Sequence, residues 1–203
     1  GDNELKDKFR FDSLMVKAKR KCEQKYAGSI QENISGILML GDQVSEGKLG
    51  SYDSVHFEKS KYLSPYLPIQ TAVGENELAG TLKLTAYNNL FYYDSLNYKG
   101  IYSNTENYYA YQAGNVLIVN LSTEHVSDIS PWIRSTVVPY LTSSPKFLMH
   151  VGGHHHLYAR GQLKDSPVYN VISGGASYNQ LWEMSQQEDM NDVQKTIPNW
   201  AYN

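Results

Sequence analysis

The chain has 203 residues, with 18 lysines and arginines against 21 aspartates and glutamates and a formal net charge of −3. A hydrophobic share of 41% and a charged share of 19% suit one folded domain, 1–203, with a real core. The mild acidity argues against a nucleic-acid partner, and no apolar run approaches the length of a membrane span.

Cys22 is the single cysteine, which excludes an intrachain disulfide and a multi-cysteine zinc site. It is expected to be half-buried and inert. The basic cluster Lys17 to Lys25 reads as a solvated helix face. No signal peptide is visible, although a mature secreted protein would look the same. The 17 tyrosines, concentrated between Tyr87 and Tyr111, hint at strand-and-loop surfaces outside the cell, so an extracytoplasmic location is expected.

In chain order, Phe11, Leu14, Met15, Ala18 and Cys22 repeat at helical spacing, with Asp12 or Ser13 expected to cap the helix and Gly28 to end it. Ile34 to Leu40 reads as a strand buried on both faces. Asp53 to Tyr62 is expected to be helical, with His56 on its surface, and Ile69 to Val73 to be a strand. Residues 87 to 112 show no clear period. Val116 to Leu121 is a strand, and Trp132 to Leu141 a short helix disturbed by Pro139. Phe147 to Gly152 reads as a strand, its first residues buried, and Val168 to Ile172 as another. The tail from Ser185 to Trp200 starts like a helix and breaks at Pro198. Alternating strands and helices with polar turns imply an α/β fold whose chemistry sits at strand ends.

Gly1-Asp2-Asn3-Glu4, Gly41-Asp42, Gly74-Glu75-Asn76-Glu77 and Gly153-His154-His155-His156 share one context. All but the first follow a short apolar strand. Carboxylates, an amide and imidazoles at adjacent strand ends are what a two-metal hydrolytic site needs. His154 and His156 are two apart, so in extended chain they point the same way. Taken alone, an Asp at a strand end is more often a turn residue or helix cap. A histidine triplet flanked by glycines is more often a site.

These blocks, in this order, resemble the calcineurin-like metallophosphoesterases, in particular the bacterial branch related to purple acid phosphatases. Gly153-His154-His155-His156-Leu157-Tyr158-Ala159-Arg160 is close to that family's Gly-His-x-His-x-Tyr-x-Arg form. The resemblance implies two mixed β-sheets packed face to face and flanked by helices. Because the first motif opens the chain without its strand, that sandwich is expected to be incomplete here. It also implies two divalent or trivalent ions (zinc, manganese or iron), held by Asp2, Glu4, Asp42, Glu75, His154 and His156. The implied activity is hydrolysis of a phosphorylated small molecule or other phosphoester, as a phosphatase or phosphodiesterase.

The departures are specific. Glu75 stands where the family has a ligand Asn, and a carboxylate still suits a hard cation. Asn76 stands where the family has a His that protonates the leaving group, and an amide has no usable pKa for that task. His155 is the alternative proton donor or substrate contact. His125, at a strand end, is the better candidate for the family's remaining His ligand, and His150 reads as a satisfied core histidine. The family's iron-ligating tyrosine has no counterpart near Asp42; Tyr52 lies some way along. Two other readings stand beside the enzyme: a degenerate metallophosphoesterase fold that binds a metal or ligand, and a surface protein using its tyrosine-rich region for contacts.

Overall fold

The computed structural model describes residues 8–122, 143–153, 158–162, 167–173 and 201–202. Over these residues the chain is mixed α/β, with short helices and several small sheets. The helices expected at Trp132 to Leu141 and from Ser185 lie outside the described residues. Helix α1 spans Lys8–Lys25 and begins before Asp12 and Ser13, so neither caps it as expected. Its inner face carries Met15, Ala18 and Cys22, which pack with Ile30, Met39, Leu63 and Leu67. Its lysines at 17, 21 and 25 stay exposed, as a solvated face requires. Helix α2, Ile30–Asn33, follows the left-handed Gly28. The Glu32 carboxylate accepts the Ser29 N–H at its start.

Strand β1, Ile37–Met39, pairs in parallel with β2, Ile69–Thr71, Ile37 opposite Ile69 and Met39 opposite Thr71. The expectation that β1 is buried on both faces fails: Met39 is buried towards α1, but Leu38 is 46% exposed. Strand side chains alternate, and only one face of β1 meets the helices. Between β1 and β2 run α3, Leu49–Ser51, a π-helical turn, Tyr52–Phe57, and α4, Glu58–Ser60. His56 corrects a second expectation, since it is buried, not on a helix surface. It packs edge-on to Phe57 and Phe91.

The tyrosine-rich region is part surface and part core: Tyr92, Tyr102 and Tyr108 are exposed, others buried. It contains α6, Leu84–Leu90, and two antiparallel hairpins: β3, Asn97–Tyr98, with β4, Ile101–Tyr102, and β5, Tyr109–Ala113, with β6, Val116–Asn120. Tyr87, Tyr93 and Tyr109 are buried, and their hydroxyls converge on Thr71 of β2. The Thr71 carbonyl accepts from Tyr87, Tyr109 and the Asn120 amide at 3.0, 2.8 and 3.0 Å. A buried hydroxyl must be paired, so this cluster fixes the hairpin against the end of β2.

The second sheet has the order β10-β8-β9-β7, with β7 Met149–Gly152, β8 Tyr158–Gln162, β9 Tyr169–Ser173 and β10 Ala201–Tyr202. β7 and β9 are parallel, and the other pairs are antiparallel. Leu148 and Met149 are exposed, against the expected buried run. Met149 and Val151 instead face Leu38 and Leu40 across an open concavity of about 840 Å³, with Tyr169 and Arg160 on its wall.

Candidate metal centre

The turns after β1 and β2 are built into one another. Gly41 is left-handed at φ +93°, and Asp42 follows at φ +51°, a conformation rare for a residue with a side chain. A Cβ at Gly41 would stand 2.9 Å from the Gly74 Cα, and one at Gly74 would stand 2.4 Å from Asp42 Oδ1. Only glycines permit this approach. The Asn76 N–H donates to Asp42 Oδ1 at 2.9 Å, so Asp42 caps the short helix α5, Glu75–Leu78. Among the described residues, only Oδ1 of Asp42 accepts a hydrogen bond.

The end of β7 reaches the same place. A Cβ at Gly153 would lie 2.6 Å from the Leu40 carbonyl oxygen. The residue before His154 therefore touches the residue before Gly41. The Gly41-Asp42 and Gly74-Glu75-Asn76 turns thus meet at the carboxyl ends of β1 and β2, and Gly153, at the end of β7, lies against Leu40 beside them.

Asp42 is buried, Asn76 half-buried and Glu75 exposed at the first position of α5. Asp2, Glu4, His125, His154, His155 and His156 lie outside the described residues. Among the described residues, no group of three or more His, Cys, Asp or Glu side chains is placed to hold a metal. The two described carboxylates, Asp42 and Glu75, are hard oxygen donors of the kind that suit such ions. His150 is exposed on β7 and is no core histidine, although partial desolvation lowers its pKa.

Glu77 was not distinguished by the sequence, yet it organises the junction. It is fully buried. Its Oε2 accepts the N–H of Asp42 at 2.8 Å and of Gly74 at 2.7 Å, and its Oε1 accepts that of Gln43 at 2.7 Å. Burial, with the neighbouring Asp42 charge adding to it, pushes its pKa up to about 7, against the pull of those N–H groups. The available signal was a Glu at the third helical position after Gly74, half of a capping box. Gln43, also fully buried, ties the turn to β2 through its amide N–H and the Ala72 carbonyl at 2.8 Å.

No helix among the described residues is long and apolar enough to cross a membrane. No family model matches the chain, and no curated protein matches it.

Proposed function

We propose that this protein is a metal-dependent phosphoester hydrolase, a phosphatase or phosphodiesterase on a metallophosphoesterase-type sandwich with a dinuclear site at its strand ends. The meeting of the Gly41-Asp42 and Gly74-Glu75-Asn76 turns at one junction, with Gly153 against Leu40 beside them, carries this reading. Asp42, Glu75, His154 and His156 would hold two ions of zinc, manganese or iron, with Asp2, Glu4 and His125 completing the set. Bound there, such ions polarise a phosphoryl oxygen and acidify a water molecule. Asp42 offers a carboxylate whose backbone and Oδ1 are already fixed, so little ordering remains to be done on binding. Asn76 can donate a hydrogen bond to a phosphoryl or leaving-group oxygen but cannot surrender a proton near neutral pH. His155 is the proposed proton donor.

The test is hydrolysis of p-nitrophenyl phosphate and its diester by the full chain supplied with zinc, manganese or iron. Turnover above an Asp42→Ala control is expected. Equal rates in the two proteins would end the catalytic reading. One observation favours a second reading: Asn76 stands where the leaving group needs an acid. A non-catalytic protein that keeps the fold would bind a metal or a phosphorylated ligand without turning it over, and phosphate binding without turnover would identify it.

A further inference from the structure

We propose that Glu77 is a positioning residue for Asp42, a carboxylate staple that holds the metal-binding turn in its left-handed conformation. The inference rests on the metal reading of Asp42 given above. Asp42 and Gln43 are buried, and both of their N–H groups end on the Glu77 carboxylate. Without it, two buried donors would lose their acceptor in the turn, a penalty that would open the turn or flip Asp42 out of φ +51°. The same carboxylate accepts the Gly74 N–H and so locks the second turn to the first.

An ion held by Asp42 and the Glu77 staple favour the same backbone of the turn, so each strengthens the other.

Glutamine is the discriminating substitution. It keeps the size of Glu77 but has one acceptor oxygen, so its NH₂ must face at least one of the backbone donors. The experiment is calorimetric zinc titration of the full chain and its Glu77→Gln, Asp42→Ala and Tyr109→Phe variants. Tyr109→Phe removes a hydrogen bond to the Thr71 carbonyl at the end of β2 without taking a partner from Asp42, Gln43, Gly74 or Glu77, and serves as the stability control. Glu77→Gln is expected to weaken zinc binding about tenfold or more, with Tyr109→Phe unchanged. A folded Glu77→Gln protein with wild-type zinc affinity overturns the proposal while Asp42→Ala still weakens binding. Wild-type affinity in Asp42→Ala instead removes the metal reading beneath it. If Glu77→Gln does not fold, amide exchange in the metal-free wild type decides: protected Asp42 and Gln43 amides support the staple, and fast exchange at both overturns it.

Discussion

The backbone N–H of Asn76 donates to Asp42 Oδ1 at 2.9 Å, joining two turns that lie 34 residues apart in the chain. The carboxylate that caps α5 is therefore also the one proposed as a metal ligand. The bland and the functional readings of Asp42 describe the same side chain, because capping uses a single oxygen.

Gly74 cannot gain a side chain without moving Asp42. A Cβ there would lie 2.4 Å from Asp42 Oδ1 and 2.5 Å from its backbone nitrogen. We expect Gly74→Ala to destabilise the protein by about 1–3 kcal/mol, the usual cost of overpacking. Urea unfolding checks this, and a loss below about 0.5 kcal/mol, the range of neutral surface changes, would contradict the close approach.

Thr71 is the anchor of the tyrosine cluster. Its hydroxyl meets those of Tyr87 and Tyr93 at 2.8 and 3.1 Å. Thr71→Val keeps the shape and removes the oxygen. We expect a loss of about 1–3 kcal/mol, the cost of leaving buried hydroxyls short of a partner. Tyr109→Phe, which removes one donor from a shared carbonyl, should cost less, about 1 kcal/mol. The ranking is read from denaturant midpoints at constant m-value.

His56 gives the pH dependence. Burial among aromatic rings pulls its pKa down to about 4. In the unfolded chain an imidazole titrates near 6.5, at about its ordinary value. The unfolded state therefore binds more protons between these values, and stability is lost as pH falls from about 6.5 towards about 4. The loss is on the order of 2–3 kcal/mol. His56→Phe should remove it, so the stability difference between the two proteins grows on acidification. Glu77, with its raised pKa, contributes the opposite slope to both proteins and cancels in that difference. A difference that stays flat from pH 7 to about 4 would contradict a buried neutral imidazole.

How much was legible in the sequence follows residue by residue. Val116 to Leu121 declared itself because a β-branched apolar run has few other uses, and β6 formed there. Helix α6 was hidden because Tyr87 and its asparagine neighbours carry no apolar period, although Tyr87 is fully buried through its ring and paired hydroxyl. Strand β8 was hidden behind the histidine triplet and interrupted by Gly161. His56 was misplaced because a π-helical turn alters which side chains face inward, a shift that 3.6-residue spacing does not reveal. At the site, Asp42 and Gly74 were legible as strand-end residues. Glu77 was legible only as half of a capping box through the Gly74 N–H; its bonds to the Asp42 and Gln43 N–H groups, 35 and 34 residues away, have no local pattern.

The central claim is that the junction of Gly41-Asp42, Gly74-Glu75 and Gly153 holds metal. Its most direct test is elemental analysis of the purified full chain beside Asp42→Ala, after saturation with zinc, manganese or iron and removal of excess ion. The account predicts about two ions per wild-type chain, as a dinuclear hydrolytic site requires, and a marked loss in Asp42→Ala. Equal metal content in the two proteins, or none in either, would contradict it.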